Sequence, residues 1–259
     1  MPAIGRPAPD GESFRRCGVA RQVRNPDSGS VVRHCRVATA GGRVSDVPPL
    51  GDELSALGCA TLVDAMARMH GHRAHILPLT SPDPGRPLFG PVATIAFMPW
   101  RDDLEESSRT FADFFYPALG DSPRGKVLVL SSGGHPEASH GGGTKLLRAV
   151  RHGLAGVMAD GRLRDFGQLR GYPFSTWCRG EATRWGGDTV MPYAADAAVE
   201  FAGVCVTPGD YAFADPSGAV IIPAGSLNGV LDAARQIETE EARAGERISA
   251  EDLPPHGRP

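Results

Sequence analysis

The strongest constraint on the fold lies between Gly125 and Asp160. "GKVLVLSSGG" is a run of Val and Leu that empties into glycine. "TKLLRAVRHGLAG" spaces its apolar residues at a helical period and closes at Gly153, and "GVMAD" is a second short apolar run. Strand, glycine-rich loop, helix and strand in that order are the building unit of layered α/β proteins. In such proteins the chemistry gathers where strands end, which directs attention to the loop after Leu130 and to the turn after Ala159.

The flanking sequence extends this unit. "ELSALGCATLVDAMARM" predicts two short helices joined near Gly58, and "GPVATIAFMPW" a buried strand. "RDDLEESSRTFADFFYPAL", polar first and aromatic later, predicts a helix running into a turn at Gly120, Asp121, Ser122 and Pro123. "FAGVCVTPGDYAFADPSGAVIIPAG" predicts two or three short strands broken at Pro208 to Asp210 and Asp215 to Gly218. A final helix is expected from about Ser226 to Ala244. Residues 1–48 are rich in Gly, Pro, Ser and Arg without periodicity, so they are expected to form a flexible N-terminal extension to a single domain at 49–259.

Charge and cysteine content narrow the function class. A net charge of -3 provides no broad basic surface, so nucleic acid is not an expected partner. The five cysteines form no CxxC pair and an odd count leaves one unpaired, which fits a reducing cytoplasm. No apolar run approaches the roughly 18 residues of a membrane helix, and the N-terminus lacks the apolar core of a secretory signal. The expectation is a soluble cytoplasmic protein without a membrane partner.

Three constellations bear chemistry. In "SSGGHPEASHGGGTK" the glycines let backbone N–H groups approach an anion at the start of a helix near Thr144; the same composition also suits a surface turn. It is not a phosphate-binding P-loop, because no GK[ST] order occurs. Arg164 beside Asp165 pairs a guanidinium that can grip a carboxylate with a carboxylate that can hold a hard cation, or is a solvated ion pair at a turn. His70, His72 and His75 lack a ligand pattern at a fixed offset and read as surface or packing residues, while His135 and His140 sit in the glycine loop. Within "YPFSTWCRGEATRWGG", Trp177, Arg179 and Arg184 are either pocket walls or ordinary packing and surface groups.

The order "GCATLVDAM", "GPVAT", "GKVLVLSSGG", "GGGTKLLRAVRHGLAGVMADGRLRD" and "VCVTPGDYAFADPSGAVIIP", followed by a Glu-rich helix, resembles the family of 4-hydroxy-4-methyl-2-oxoglutarate aldolase and the regulator of ribonuclease E activity. The likeness covers about 50 to 245. It implies an α/β fold, a three-layer β/β/α domain of the swivelling type, assembled as homotrimers or hexamers. It also implies a class II lyase that uses Mg2+ or Mn2+ and no Schiff base, splits 4-hydroxy-2-oxo acids to pyruvate, and commonly decarboxylates oxaloacetate. The alternative it carries is a non-catalytic interaction protein like the ribonuclease regulators, which lack the metal-binding acid; Asp165 favours the enzyme.

By the same resemblance Arg164 contacts the pyruvyl group and Asp165 anchors the metal. The backbone of Gly142, Gly143, Thr144 and Lys145 cradles the substrate carboxylate, and the base for the 4-hydroxyl is a water rather than a histidine. Many aldolase members carry an acid at the second cradle position, where this chain has Gly143. In "RQIETEEARAGE" Glu238 reads as part of a solvated face. Family resemblance places a glutamate of this helix in the neighbouring subunit's metal site, and the spacing from Ile237 selects Glu241, with Glu240 next.

Overall fold

The computed structural model of the protein describes residues 57–251. The expected N-terminal extension at 1–48 and the first of the two helices before Gly58 lie outside the described residues. Helix α1 spans Gly58–Met69; Gly58 itself has φ 59°, so the chain enters the helix through a conformation that glycine adopts freely.

The central sheet is assembled around β2 (Leu88–Pro99). On one side lie β3 (Val127–Ser131), β5 (Gly156–Ala159) and β7 (Ser175–Trp177), each parallel to its neighbour. On the other lie β11 (Tyr211–Asp215), β12 (Gly218–Ile222) and β1 (His75–Ile76), all antiparallel. An eighth strand, β8 (Val190–Ala195), pairs with the far end of β2. The predicted crossover is present, since β3 and β5 pair in parallel with Leu128 opposite Val157 and Leu130 opposite Ala159.

The two faces of the sheet separate by the period-2 alternation of its strands. Ala93, Ile95, Phe97, Leu128 and Leu130 face helices α2 (Phe111–Leu119) and α3 (Gly143–Arg151), which contribute Phe115 and Leu146 to the same cluster. Phe89, Phe213 and Val220 continue this face under α1 and the long C-terminal helix, Leu227–Ser249. The opposite face, with Val92, Val127, Val129 and Met158, is covered by a hairpin of β9 (Val199–Phe201) and β10 (Val204–Val206). Hairpin, sheet and helices are the three layers of a β/β/α domain.

Two expectations need correction. The segment 101–119 is not one helix. A 3-10 turn at Glu105–Ser108 is followed by extended Arg109, and Thr110 then starts α2 with a capping box in which Asp113 accepts the Thr110 N–H at 2.7 Å. A local cap outcompetes continuation of the polar helix. The region from Phe201 to Gly225 does hold three strands, β10 to β12, but β9 pairs with the first of them and was not foreseen. Among the described residues no helix is long and apolar enough to cross a membrane.

Candidate functional site

The site is made where the two glycine-bearing segments meet. Past β3 the chain forms the short strand β4 (Ser139–Gly141), and past β5 it forms β6 (Arg162–Leu163). These pair in parallel, and the Arg164 N–H donates to the Gly141 carbonyl at 3.0 Å. Arg164 and Asp165 are thereby laid against the start of α3. Asp165 has φ 66° and ψ 44°, a left-handed conformation that Asp tolerates better than most residues, and it immediately precedes the five-residue helix α4 (Phe166–Arg170) without a side-chain hydrogen bond to it.

Close approach explains the glycines. A Cβ at Gly142 would lie 2.7 Å from Asp165 Oδ2, and one at Gly161 would lie 2.1 Å from His140 Nδ1. With the way clear, the Gly143 N–H donates to Asp165 Oδ2 at 2.9 Å. The N–H groups of Thr144 and Lys145, next along α3, have no acceptor among the described residues. They are the unsatisfied donors of a helix N-terminus and face an anion favourably.

A cleft of about 210 Å³ lies over this junction, lined by Gly142, Thr144, Lys145, Arg164, Asp165 and Trp185 among others. All the cradle and Arg–Asp residues selected from sequence are therefore brought together, Gly143 through its bond to Asp165. Burial, with Arg148 and Arg164 close by, pushes the Lys145 amine below its ordinary value. A larger hollow of about 560 Å³ opens beside the cleft, sharing Ser139 and Trp185 with it. Both arginines that line it have acidic partners: Arg162 donates to Glu137 at 2.6 Å and Arg184 pairs with Asp188.

Among the described residues no three His, Cys, Asp or Glu side chains converge on a metal position. Among the described residues Asp165 is the one carboxylate lining the small cleft. A lone carboxylate in an open cleft fits a hard cation such as Mg2+ or Mn2+, which keeps most of its ligands as water and takes one or two protein oxygens.

Other candidates are placed elsewhere. Glu241 lies exposed on the C-terminal helix and does not line the cleft. Glu240 is engaged by Arg68 at 2.7 Å. Glu238 is half-buried and accepts the Thr61 hydroxyl at 2.6 Å, so it joins this helix to α1 rather than forming a solvated face. Trp177 is core, 1% exposed, while Arg179 is exposed and donates to the Asp160 carbonyl; only Arg184 of that trio lines a hollow. His140 is fully buried, edge-on to Phe97, and its burial lowers its pKa to about 4. His70 contacts His72 and Ser226, and His72 and His75 are exposed, as expected of surface or packing residues.

Two participants were not foreseen. Trp185, 55% exposed, walls both hollows. Gln168 fills the room that a side chain at 143 would need, with Oε1 2.0 Å from the position of a Cβ there. Its amide donates to the Tyr172 hydroxyl at 2.7 Å, which in turn donates to the Gly143 carbonyl at 3.0 Å.

Residues 59–221, which contain the whole cleft, match the family model of RraA-like proteins, Aldolase/RraA. The chain belongs to the RraA-like family. Among RraA-like relatives, a protein of Albidiferax ferrireducens provisionally named 4-hydroxy-4-methyl-2-oxoglutarate aldolase is 31% identical over 155 residues, covering 55% of this chain and 79% of the relative. DlpA of Legionella pneumophila is 25% identical over 206 residues, 79% of this chain, which spans only 32% of that relative's length. The crystal structure of Streptomyces coelicolor RraAS2, described as an unusual member of the RNase ES inhibitor RraA family, superposes with a TM-score of 0.65. It is 29% identical, with 75% of this chain and 96% of that one covered. The RraA-like family thus joins proteins named as aldolases and proteins named as ribonuclease inhibitors. The C-terminal helix with Glu241 lies beyond the matched residues.

Proposed function

We propose that this protein is a divalent-metal-dependent lyase that cleaves a 4-hydroxy-2-oxo acid to pyruvate and a second carbonyl compound, and that also decarboxylates oxaloacetate. The observation that carries the reading is the meeting of Arg164, Asp165 and the open N–H groups of Thr144 and Lys145 in one cleft. Relatives named as aldolases support the class of reaction.

Each residue then has one task. The N–H groups of Thr144 and Lys145 receive the substrate's 1-carboxylate at the positive end of α3. Arg164 presents a planar fork to the pyruvyl oxygens, and its charge meets the negative charge that grows there as the carbon–carbon bond breaks. Asp165, oriented by the Gly143 N–H, would hold Mg2+ or Mn2+. When bound, the metal supplies Lewis-acid withdrawal of electrons at the 2-oxo group. A water in the open cleft takes the 4-hydroxyl proton. Glu241 of a neighbouring copy in a trimer or hexamer would supply a further carboxylate to the cation, and the working site would then be shared between chains.

The second reading is a non-catalytic regulator of a ribonuclease, and the likeness to Streptomyces coelicolor RraAS2 favours it. A coupled assay for pyruvate release across a panel of 2-oxo acids, with Mg2+, with Mn2+ and with a chelator, separates the two. Metal-dependent release supports the lyase. No release from any substrate under any of these conditions overturns it.

A further inference from the structure

The chemistry of the cleft gives no task to Trp185, Gly186 and Gly187, yet the fold places them with care. Gly186 is buried because the backbone of β4 presses on it: a Cβ there would lie 2.3 Å from the Ser139 carbonyl oxygen. Gly187 is bare for a different reason, since a Cβ there would lie 2.0 Å from Cζ2 of the Trp185 indole. The first glycine brings the turn against the floor of the site, and the second lets the indole lie over the chain that follows it. Thr189 and Val190 close the turn, both donating their N–H groups to the Gly186 carbonyl at 2.9 Å. Trp185 is thus seated on one side and still 55% exposed.

The indole stands between two hollows of unlike character. The cleft over Arg164 and Asp165, about 210 Å³, is smaller than sites that hold a whole small ligand, roughly 300 to 1,000 Å³, and suits the pyruvyl end alone. The adjoining hollow of about 560 Å³ falls within that range, and because it shares Ser139 and Trp185 with the cleft it receives what extends from there. A carboxylate in the hollow would have to take Arg162 from Glu137 or Arg184 from Asp188. It would also meet the carboxylates of Glu137 and Glu181 on the same wall, and like charges brought together in this way are disfavoured. Pro136, Ala138, Ala182 and the Trp185 ring supply apolar surface instead. Such a lining favours an uncharged group with a flat face, since aromatic rings gain from offset stacking beyond the area they bury.

We infer that this hollow receives the half of the substrate that leaves as the second carbonyl compound, and that Trp185 stacks there on an uncharged aromatic ring carried by C4. This rests on the reading of the cleft as a 2-oxo acid lyase site. The substrate class is a 4-hydroxy-4-aryl-2-oxobutanoate. In its cleavage the C3–C4 bond breaks and the electron pair stays on C3, giving the pyruvate enolate. The 4-hydroxyl proton passes to water, C4 leaves as an aromatic aldehyde, and the enolate takes one proton back from water. No oxidant or reductant is consumed, and Trp185 acts as a specificity-determining residue.

The test titrates three ligands that lack the 4-hydroxyl, and so cannot be cleaved in this way, calorimetrically into the full chain with Mg2+. They are 2-oxobutanoate, 2-oxo-4-phenylbutanoate and, as the charged comparison, 2-oxoglutarate. Wild-type protein should bind the phenyl compound about 10-fold more tightly than either of the others, as expected of a stacked ring. Trp185→Ala should erase that preference by weakening the phenyl compound alone, Trp185→Phe should keep most of it, and thermal melting verifies that both variants fold. Wild-type protein should also release benzaldehyde, followed by its ultraviolet absorbance, from 4-hydroxy-2-oxo-4-phenylbutanoate. Four results overturn the inference while leaving the 2-oxo acid site intact: no preference for the phenyl compound, tighter binding of 2-oxoglutarate, a preference unchanged in Trp185→Ala, or pyruvate release from other 4-hydroxy-2-oxo acids without benzaldehyde from this one. Failure of all three ligands to bind wild-type protein, or of every substrate to release pyruvate, overturns the lyase reading and this inference together.

Discussion

Asp165 Oδ2 accepts the backbone N–H of Gly143 at 2.9 Å, and this bond ties the left-handed turn after β6 to the first turn of α3. It fixes which oxygen of the carboxylate is engaged and which is left for the cleft. Asp165→Asn keeps the size of the side chain and its tolerance of the left-handed backbone while removing the charge. The variant should fold with a near-normal melting temperature and lose at least about 100-fold in pyruvate release. Asp165→Ala should in addition lose about 2 kcal/mol of stability in urea titration, from the strained backbone and the missing acceptor. Full activity of Asp165→Asn, or of chelated wild-type protein, would refute the metal-dependent mechanism.

Arg164→Lys tests the planar fork. The charge stays, but two parallel hydrogen bonds to pyruvyl oxygens cannot be made by an ammonium. Turnover should fall by about 100-fold while Mn2+ binding, read by electron paramagnetic resonance, is unchanged. Arg162 offers no substitute, because its guanidinium is committed to Glu137 in the neighbouring hollow. Unaltered kinetics in Arg164→Lys would remove Arg164 from the reaction.

Glu241 tests the shared site. Glu238 is bound to Thr61 and Glu240 to Arg68, so of these three neighbouring acids Glu241 is the one without a side-chain partner among the described residues. Arg164→Ala and Glu241→Ala proteins should each be nearly inactive, yet regain part of the activity when unfolded together and reassembled. No recovery on mixing, with wild-type protein surviving the same treatment, would exclude Glu241 as the shared ligand.

His140 should make stability fall in mild acid. Burial holds its pKa at about 4, against an ordinary 6.5. Between these values the unfolded chain takes up a proton that the folded chain refuses, so stability rises with pH through this window and drains away as pH falls from 6.5 towards 4. The full effect is about 3 kcal/mol. Asp160 acts in the opposite sense: burial raises its pKa, so its contribution is greatest at low pH and is lost as pH rises above 3.8. Urea midpoints of wild type and His140→Phe, compared at pH 7 and pH 4.5, should converge towards the acid side as the wild type alone loses the histidine contribution. Parallel midpoints at both pH values would contradict this.

Gly143→Asp tests the occupancy of the space beside the cradle. The new Cβ meets the Gln168 amide at 2.0 Å, so the variant should lose about 1 to 3 kcal/mol. Gly143→Asp with Gln168→Ala should recover most of it. Additive losses in the double variant would show that the two positions do not compete.

The crossover from β3 through α3 to β5 was legible because each piece is long enough to show its period, and because Gly153 marks a real helix end with φ 65°. The two-residue strand β6 and the three-residue strand β4 show no period at all; they exist through backbone bonds between distant segments. The same limit hid β7 and β9. Arg164, Asp165 and the glycine cradle were legible as motifs, and the left-handed turn and close approaches explain why those residues stand there. That Gln168 fills the place beside Gly143, or that Trp185 walls both hollows, depends on side chains meeting across the fold, which no local pattern encodes.

The crowding of Gly143 by Gln168 also imposes an order on history. A lineage moving between a bare cradle and an acidic one is least burdened if it shortens position 168 before it enlarges position 143, since the reverse order passes through a protein in which the Gln168 side chain has first to be displaced. Of the two single-step routes between these forms, one crosses a loss of stability and the other avoids it, so position 168 records in advance which members of such a lineage acquire the acid most easily.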